Sequence, residues 1–255
     1  MKSLIILAAS IVLTFSIARA DDTQLDFVTI TWEPYAGEII PGYGIASTII
    51  SKACARVGLT AKFHFLPWTR AMDETKAGDF DALYNAYYSP QRDEDYGVSE
   101  CYFQTILTLC TKSSNSIDYD GTTQSLHKYR LGVVRGFVNT KAIDSDKELN
   151  KDEAENDVLN LRKLLHDRVD LIVIDKYQAL HLVKNSPIIE ADMADIRFIY
   201  PALEQKSLHV MFSKNRTGWQ QKLELFNKGL KEIKKDGTLK AILLSYGFPT
   251  QPMEE

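Results

Sequence analysis

An alternation of apolar runs with amphipathic stretches limits this chain to few architectures. Phe27-Val28-Thr29-Ile30 reads as a strand. From Gly44 to Val57, the residues Ile45, Ile49, Ile50, Ala53 and Val57 fall on one helical face, and Gly58 supplies a stop. Ala61 to Leu66 reads as a second strand, Trp68 to Ala77 as a short helix closed by Gly78, and Phe80 to Ala86 as a third strand. Parallel strands need a crossover, and a helix is the usual one, so this βαβαβ run predicts a parallel sheet covered by helices. The expected fold class is α/β.

The middle of the chain repeats the pattern. Arg130 to Val134 is a strand that runs into Arg135-Gly136. Asn156 to Asp167 is a helix with Val158, Leu161, Leu164 and Leu165 inward. Val169 to Ile174 is a continuous apolar strand, as expected when both faces are covered. Asp175 follows, then a helix from Tyr177 to Val183. The charge-dense stretch from Lys141 to Asp157 reads as a solvated helix or loop on the outer surface. Near the end, Leu208 to Phe212 is one more strand. Trp219, Leu223, Phe226, Leu230 and Ile233 mark a helix ended by Gly237, and Thr238 can cap a last one. Two α/β units in series, with a strand and two helices left over, suggest two lobes with a tail returning to the first.

The first twenty residues stand outside that scheme. Lys2, an apolar run from Leu4 to Phe15 and an Ala18-Arg19-Ala20 site form a secretory signal, with cleavage expected after Ala20. Removal leaves 235 of the 255 residues, enough for one large domain or two small ones. The formal charge is −4, and loss of Lys2 and Arg19 with the leader makes it −6. That balance argues against nucleic acid or an anionic membrane as partner. No later run is long and apolar enough for a spanning helix, so a soluble exported protein, in a periplasm, is expected. Cys54, Cys101 and Cys110 cannot all pair internally and lack zinc-type spacing, so most are expected to be small buried groups.

Enzyme templates find no match. The five histidines show no metal-ligand spacing, and neither a G-x-S-x-G elbow nor a phosphate-cradling glycine loop occurs. Polar and aromatic residues cluster instead after the strands, at the sheet edge where ligands bind in open α/β folds. They are Trp32 and Tyr35 after the first strand, Trp68 and Arg70 after the second, and Tyr87 and Arg92 after the third. In the second unit they are Arg135, Asn139 and Asp175. Each has a plainer reading. The aromatics could be core, and Arg92 a surface arginine. Ser89-Pro90 is a plain helix start, and Asp175 with Gln178 matches a capping box.

Five segments in order then carry a resemblance. They are WEPYAG…GYGIASTIISKACARVG, FLPWTRAMDETKAGDFDALYNAYYSPQRDEDYGVSE, RLGVVRGFVNT, RVDLIVIDKYQAL and LELFNKGLKEIKKDGTLKAILLSYGF. Together they resemble the bacterial extracellular solute-binding proteins of the polar amino acid type, family 3, the periplasmic partners of ABC importers.

The resemblance implies a two-lobed periplasmic binding protein of type II, with a ligand cleft between the lobes. Lobe 1 would take 21–105 and 208–255, and lobe 2 106–207. Crossings would lie near Tyr102 to Thr108 and near Lys206 to Met211. It implies that Arg92 pairs with a ligand carboxylate, since a guanidinium offers a two-pronged fork. It places the acid that receives a ligand ammonium on Asp175, and the packing aromatic near Trp32 or Tyr35, with Trp68 as a second wall. Tyr87-Tyr88 and Gly136-Phe137-Val138 stand where relatives carry small hydroxyl residues, so a bulkier or atypical ligand is expected. The implied function is capture of a small, amino acid-like ligand by hinge closure for import through an ABC permease. A stand-alone sensor or scavenger is an alternative, as is a cyclohexadienyl dehydratase-like enzyme with Asp175 as general acid. A monomer without cofactor is expected.

Overall fold

The computed structural model describes residues 23–248; the leader and its cleavage point lie outside them. The first half of the fold is the expected βαβαβ unit. β1 (Gln24–Thr29) pairs in parallel with β2 (Thr60–Phe65) on one side and β3 (Ala82–Tyr87) on the other. α1 (Ile45–Arg56) and α2 (Trp68–Ala77) make the crossovers. Every residue of β3 is buried, as befits a central strand. At its end Ser89 caps α3 (Pro90–Asp95), accepting from the Arg92 amide at 3.3 Å, with Pro90 at the first helical position.

The second half repeats the unit with one strand that the sequence did not announce. β6 (Arg130–Val134) pairs in parallel with β8 (Leu171–Asp175) and with β7 (Asn150–Ala154). α4 (Lys141–Ser145), α5 (Asp157–Leu165) and α6 (Lys176–Asn185) connect or follow these strands. The expectation of an outer helix or loop from Lys141 to Asp157 is therefore corrected. β7 is an edge strand with polar, half-exposed residues, and Asp157 beyond it is buried. Edge strands tolerate such composition because one side of their backbone faces no partner.

Two antiparallel strands join the halves. β5 (Phe103–Lys112) and β9 (Ile196–Ser213) pair from Phe103↔Leu208 to Lys112↔Ile196. The last residues of β9 pair with β3 and with β4 (Tyr96–Val98), whereas the distal part of β5 pairs with β8. One nine-stranded sheet results, in the order β2-β1-β3-β9-β5-β8-β6-β7, with β4 off this path against β9. The strand expected at Leu208 to Phe212 is the end of this 18-residue β9.

α7 (Trp219–Lys235) and α8 (Thr238–Ser245) return to the first half, where Phe226, Leu230 and Ile233 join the core behind α1. Burying such side chains is worth about 1.5–3 kcal/mol each. α1 and α7 approach so closely that a Cβ on Gly229 would lie 2.0 Å from the Ala53 carbonyl oxygen. All three cysteines are free: Cys54 and Cys110 are buried thiols pushed up to about 12 by desolvation, and half-buried Cys101 donates to the Phe103 carbonyl. Among the described residues no helix is long and apolar enough to cross a membrane.

Candidate functional site

The carboxyl ends of β1, β2 and β3 face those of β6, β7 and β8 across a cleft spanned by named hydrogen bonds. Trp32, after β1, donates its indole Nε1 hydrogen to Asp157 Oδ2 at 3.0 Å. Trp68, at the start of α2, donates to the Gly136 carbonyl at 3.1 Å. Gly136 reaches this position with a φ of +74°, which favours a residue without a Cβ. Phe137 then inserts between the two indoles, its ring centroid 6.5 Å from Trp32 and 5.8 Å from Trp68, both edge-on.

Arg92 lies under this lid, 8% exposed. Its Nη1 donates to the Tyr87 carbonyl at 2.7 Å, and its Nη2 to the Gly136 carbonyl at 3.3 Å. The guanidinium carbon sits 5.2 Å from the Trp68 ring centroid, a cation–π distance. Among the described residues no carboxylate forms an ion pair with it. Burial lowers its pKa to about 10, so it stays cationic at neutral pH. Its Nη2 also reaches the Met72 sulfur at 3.7 Å. An internal guanidinium held by carbonyl oxygens, a thioether and a ring is ready for an anionic group.

Carboxylates line the opposite wall. Asp175 caps α6 through the Gln178 amide at 2.9 Å, and its Oδ1 also accepts from the Tyr35 hydroxyl at 2.8 Å. Thr105 on β5 donates to its other oxygen. Even so, burial raises its pKa to about 6. Asp157, 4% exposed at the first position of α5, is raised to about 7, chiefly by burial and further by Asp175, against the Trp32 bond.

Three polar atoms at the cleft have no hydrogen-bond partner among the described residues: Asn85 Nδ2, the Tyr87 hydroxyl and Gln178 Oε1. Asn85 adopts a φ of +59° within β3, while its Oδ1 accepts from Tyr102 at 2.7 Å. Buried polar atoms without partners are costly in an empty protein, and a ligand can satisfy them.

The space inside is small. One cavity of about 20 Å³ is lined by Trp32, Trp68, Asn85, Tyr87, Arg92 and Phe137. A second, of about 10 Å³, adjoins Tyr87, Asn139, Asp157 and Asp175. Each has room for about one water molecule. The outer cleft, about 1060 Å³, opens past Trp68, Arg70, Arg135, Asp157 and Gln178. A larger guest therefore enters only when the lobes part.

Of the residues singled out from sequence, Trp32, Trp68, Tyr87, Arg92, Asn139 and Asp175 meet at the two inner cavities. Tyr35 lines neither; fully buried, it stands behind Asp175 as a hydrogen-bond donor. Arg70 and Arg135 are rim residues paired with Glu74 and Glu153. Tyr88 is 49% exposed, so only one of the two adjacent tyrosines faces the cleft. Sequence reasoning missed Asp157, Asn85 and Gln178. Asp157 obeys the same rule as the others, a polar residue just past a strand, but that strand was β7.

The family model described as bacterial extracellular solute-binding proteins, family 3, matches residues 18–249. The chain is similar to the L-cystine-binding protein TcyA of Bacillus subtilis (strain 168), 23% identical over 217 residues, which cover 83% of this chain and 76% of that protein. An ancestral arginine-binding protein bound to arginine superposes with a TM-score of 0.73 at 20% identity, covering 88% of this chain and 98% of the other. A histidine kinase sensor domain with similarity to periplasmic binding proteins gives 0.78 at 14% identity, covering 90% and 98%. At these identities the structural matches establish the fold alone.

Proposed function

Because this chain belongs to the bacterial extracellular solute-binding proteins, family 3, we propose that it captures a small zwitterionic, amino acid-like ligand between its lobes and presents it to an ABC permease. The observation that carries this reading is the placement of Arg92. It is a buried cation with no carboxylate partner among the described residues, and it faces a wall that holds Asp157 and Asp175. One end of the cleft asks for an anion and the other for a cation, at a separation bridged by aromatic rings. The lobe division, 21–105 with 208–255 against 106–207, belongs to the same reading. So does export to the periplasm with cleavage after Ala20.

Capture then follows from closure. Contacts such as Trp32–Asp157 and Trp68–Gly136 exist only when the lobes meet, and a ligand between them adds its own. The ligand releases Arg92 and the unpartnered atoms from their cost. The cystine- and arginine-binding proteins named above support the amino acid class. The sensor-domain likeness favours one second reading, in which the closed form signals to a partner instead of delivering cargo.

The experiment is native mass spectrometry of the purified protein, followed by thermal shift with the amino acids and small peptides. A bound zwitterion, or a melting temperature raised by one, is the expected result. Stabilisation by sugars or dicarboxylates alone would overturn it.

A further inference from the structure

Two carboxylates and an unpartnered amide oxygen gather at the far end of the cleft. Asp157 and Asp175 line one inner cavity, and Asp157 with Gln178 lines the outer cleft. Gln178 is 3% exposed, and its Oε1 has no partner among the described residues. Tyr87, 7% exposed, contributes an unpartnered hydroxyl to the same inner cavity as both carboxylates. The two acids are not equivalent. Asp175 is engaged by Tyr35, Thr105 and the Gln178 amide, whereas the side-chain bond recorded for Asp157 is the one from Trp32. That bond crosses the cleft, so opening the lobes breaks it and frees Asp157 to take another donor.

The charge balance points the same way. Two buried carboxylates face one buried guanidinium, Arg92, while the buried Lys206 ammonium, 5.8 Å from the Tyr87 ring centroid, is already paired with Glu204 at 2.8 Å. A neutral zwitterion would match one carboxylate and leave the other uncompensated, and a buried charge without a partner is strongly disfavoured. A ligand with a carboxylate and two cationic groups would match all three. Trp32, Tyr87 and Phe137 line the same inner cavity as Asp157, and an aromatic lining suits a delocalised or alkylammonium charge.

The geometry points to Asp157 as the specificity-determining residue of this site, receiving a second cationic group, so that the ligand is a basic amino acid. This rests on the zwitterion reading for Arg92. Asp175 takes the α-ammonium or supports it through Gln178. Asp157, through the oxygen that the Trp32 indole does not use, and Gln178 Oε1 take the side-chain ammonium or guanidinium.

Isothermal titration of the mature chain tests it with five probes: L-arginine, L-lysine, L-ornithine, L-glutamine and putrescine. The wild type should bind at least one basic amino acid tenfold or more tighter than glutamine. Asp157→Asn should weaken that ligand about 10- to 100-fold more than it weakens glutamine, so that the preference for the basic amino acid is lost. Asp157→Glu, which keeps the charge, should retain the preference if the asparagine variant folds poorly. Glutamine binding as tightly as every basic amino acid would overturn the inference and leave the zwitterion reading standing. Binding of putrescine alone would overturn the zwitterion reading and keep the cation site. Failure of all four cationic probes, or an unchanged preference in Asp157→Asn, would overturn the assignment of Asp157.

Discussion

The Trp32 indole and the Asp157 carboxylate meet across the cleft at 3.0 Å, joining the end of β1 to the start of α5. The bond links two lobes, so its loss acts on closure before it acts on unfolding. In the open form water replaces the indole at Asp157. A hydrogen bond to a charged group is worth about 1.5–3 kcal/mol, so Trp32→Phe should move the open–closed balance about tenfold or more toward open. Small-angle scattering of the ligand-free variant should show a larger radius of gyration, with the melting temperature within about 2 °C of wild type. An unchanged radius with a melting temperature many degrees lower would place the bond's value in lobe stability instead.

Arg92 gives a sharper expectation. Lysine at that position keeps the charge and loses the fork that reaches Tyr87 and Gly136 together, as well as the planar stack on Trp68. A hydrogen bond to a charged group is worth about 1.5–3 kcal/mol. Arg92→Lys should therefore weaken the best-binding amino acid by a factor of about 10 to 150, read by titration calorimetry, while circular dichroism stays that of wild type. Undiminished affinity would mean that Arg92 serves only to tie Tyr87 to Gly136.

Much of this was legible because buried elements advertise themselves. β3, β6, β8 and the end of β9 are mostly apolar, and α1 and α7 repeat their apolar residues with helical spacing. β7 reads Asn-Lys-Asp-Glu-Ala because it is an edge strand, and the first part of β9 carries exposed residues without a period. Neither looks like a strand from sequence. Asp157 was hidden with β7, since the rule that points to strand ends needs the strand first. Tyr35 erred in the other direction. It follows a strand as Trp32 does, but its hydroxyl turns inward to Asp175 and Thr105. Sequence shows that an aromatic is near the cleft, and only packing decides which one faces it.

The two buried carboxyls make stability depend on pH in an unusual sense. Burial raises Asp157 to about 7 and Asp175 to about 6. The folded protein then holds protons that the unfolded chain has released. This contribution is fully present below the unfolded value near 4 and is lost as pH rises through about 6 and about 7. The slope reaches about 1.4 kcal/mol per pH unit for each carboxyl. By calorimetry the ligand-free melting temperature should fall from pH 5 to pH 7, and Asp157→Asn should flatten the upper part of that fall. A cationic ligand displaces those protons, so its affinity should rise toward tenfold per pH unit over the same range. A melting temperature that rises across the window would contradict the burial of these groups.

The contact of α1 with α7 separates stability from binding. Ala at position 229 would place a methyl group 2.0 Å from the Ala53 carbonyl oxygen, closer than any relaxed contact allows. The obstacle is helix backbone, so the two helices must separate rather than a side chain turn away. Overpacking of this kind costs about 1–3 kcal/mol. In a chain of this size each kcal/mol lowers the melting temperature by about 2–4 °C. Gly229→Ala should therefore melt about 2–12 °C lower. Its affinity for the best-binding amino acid should stay within about twofold, because α1 and α7 supply none of the residues that surround Arg92, Asp157 and Asp175. An unchanged melting temperature would mean that the helices can part at no cost. A lost affinity would mean that their packing sets the cleft.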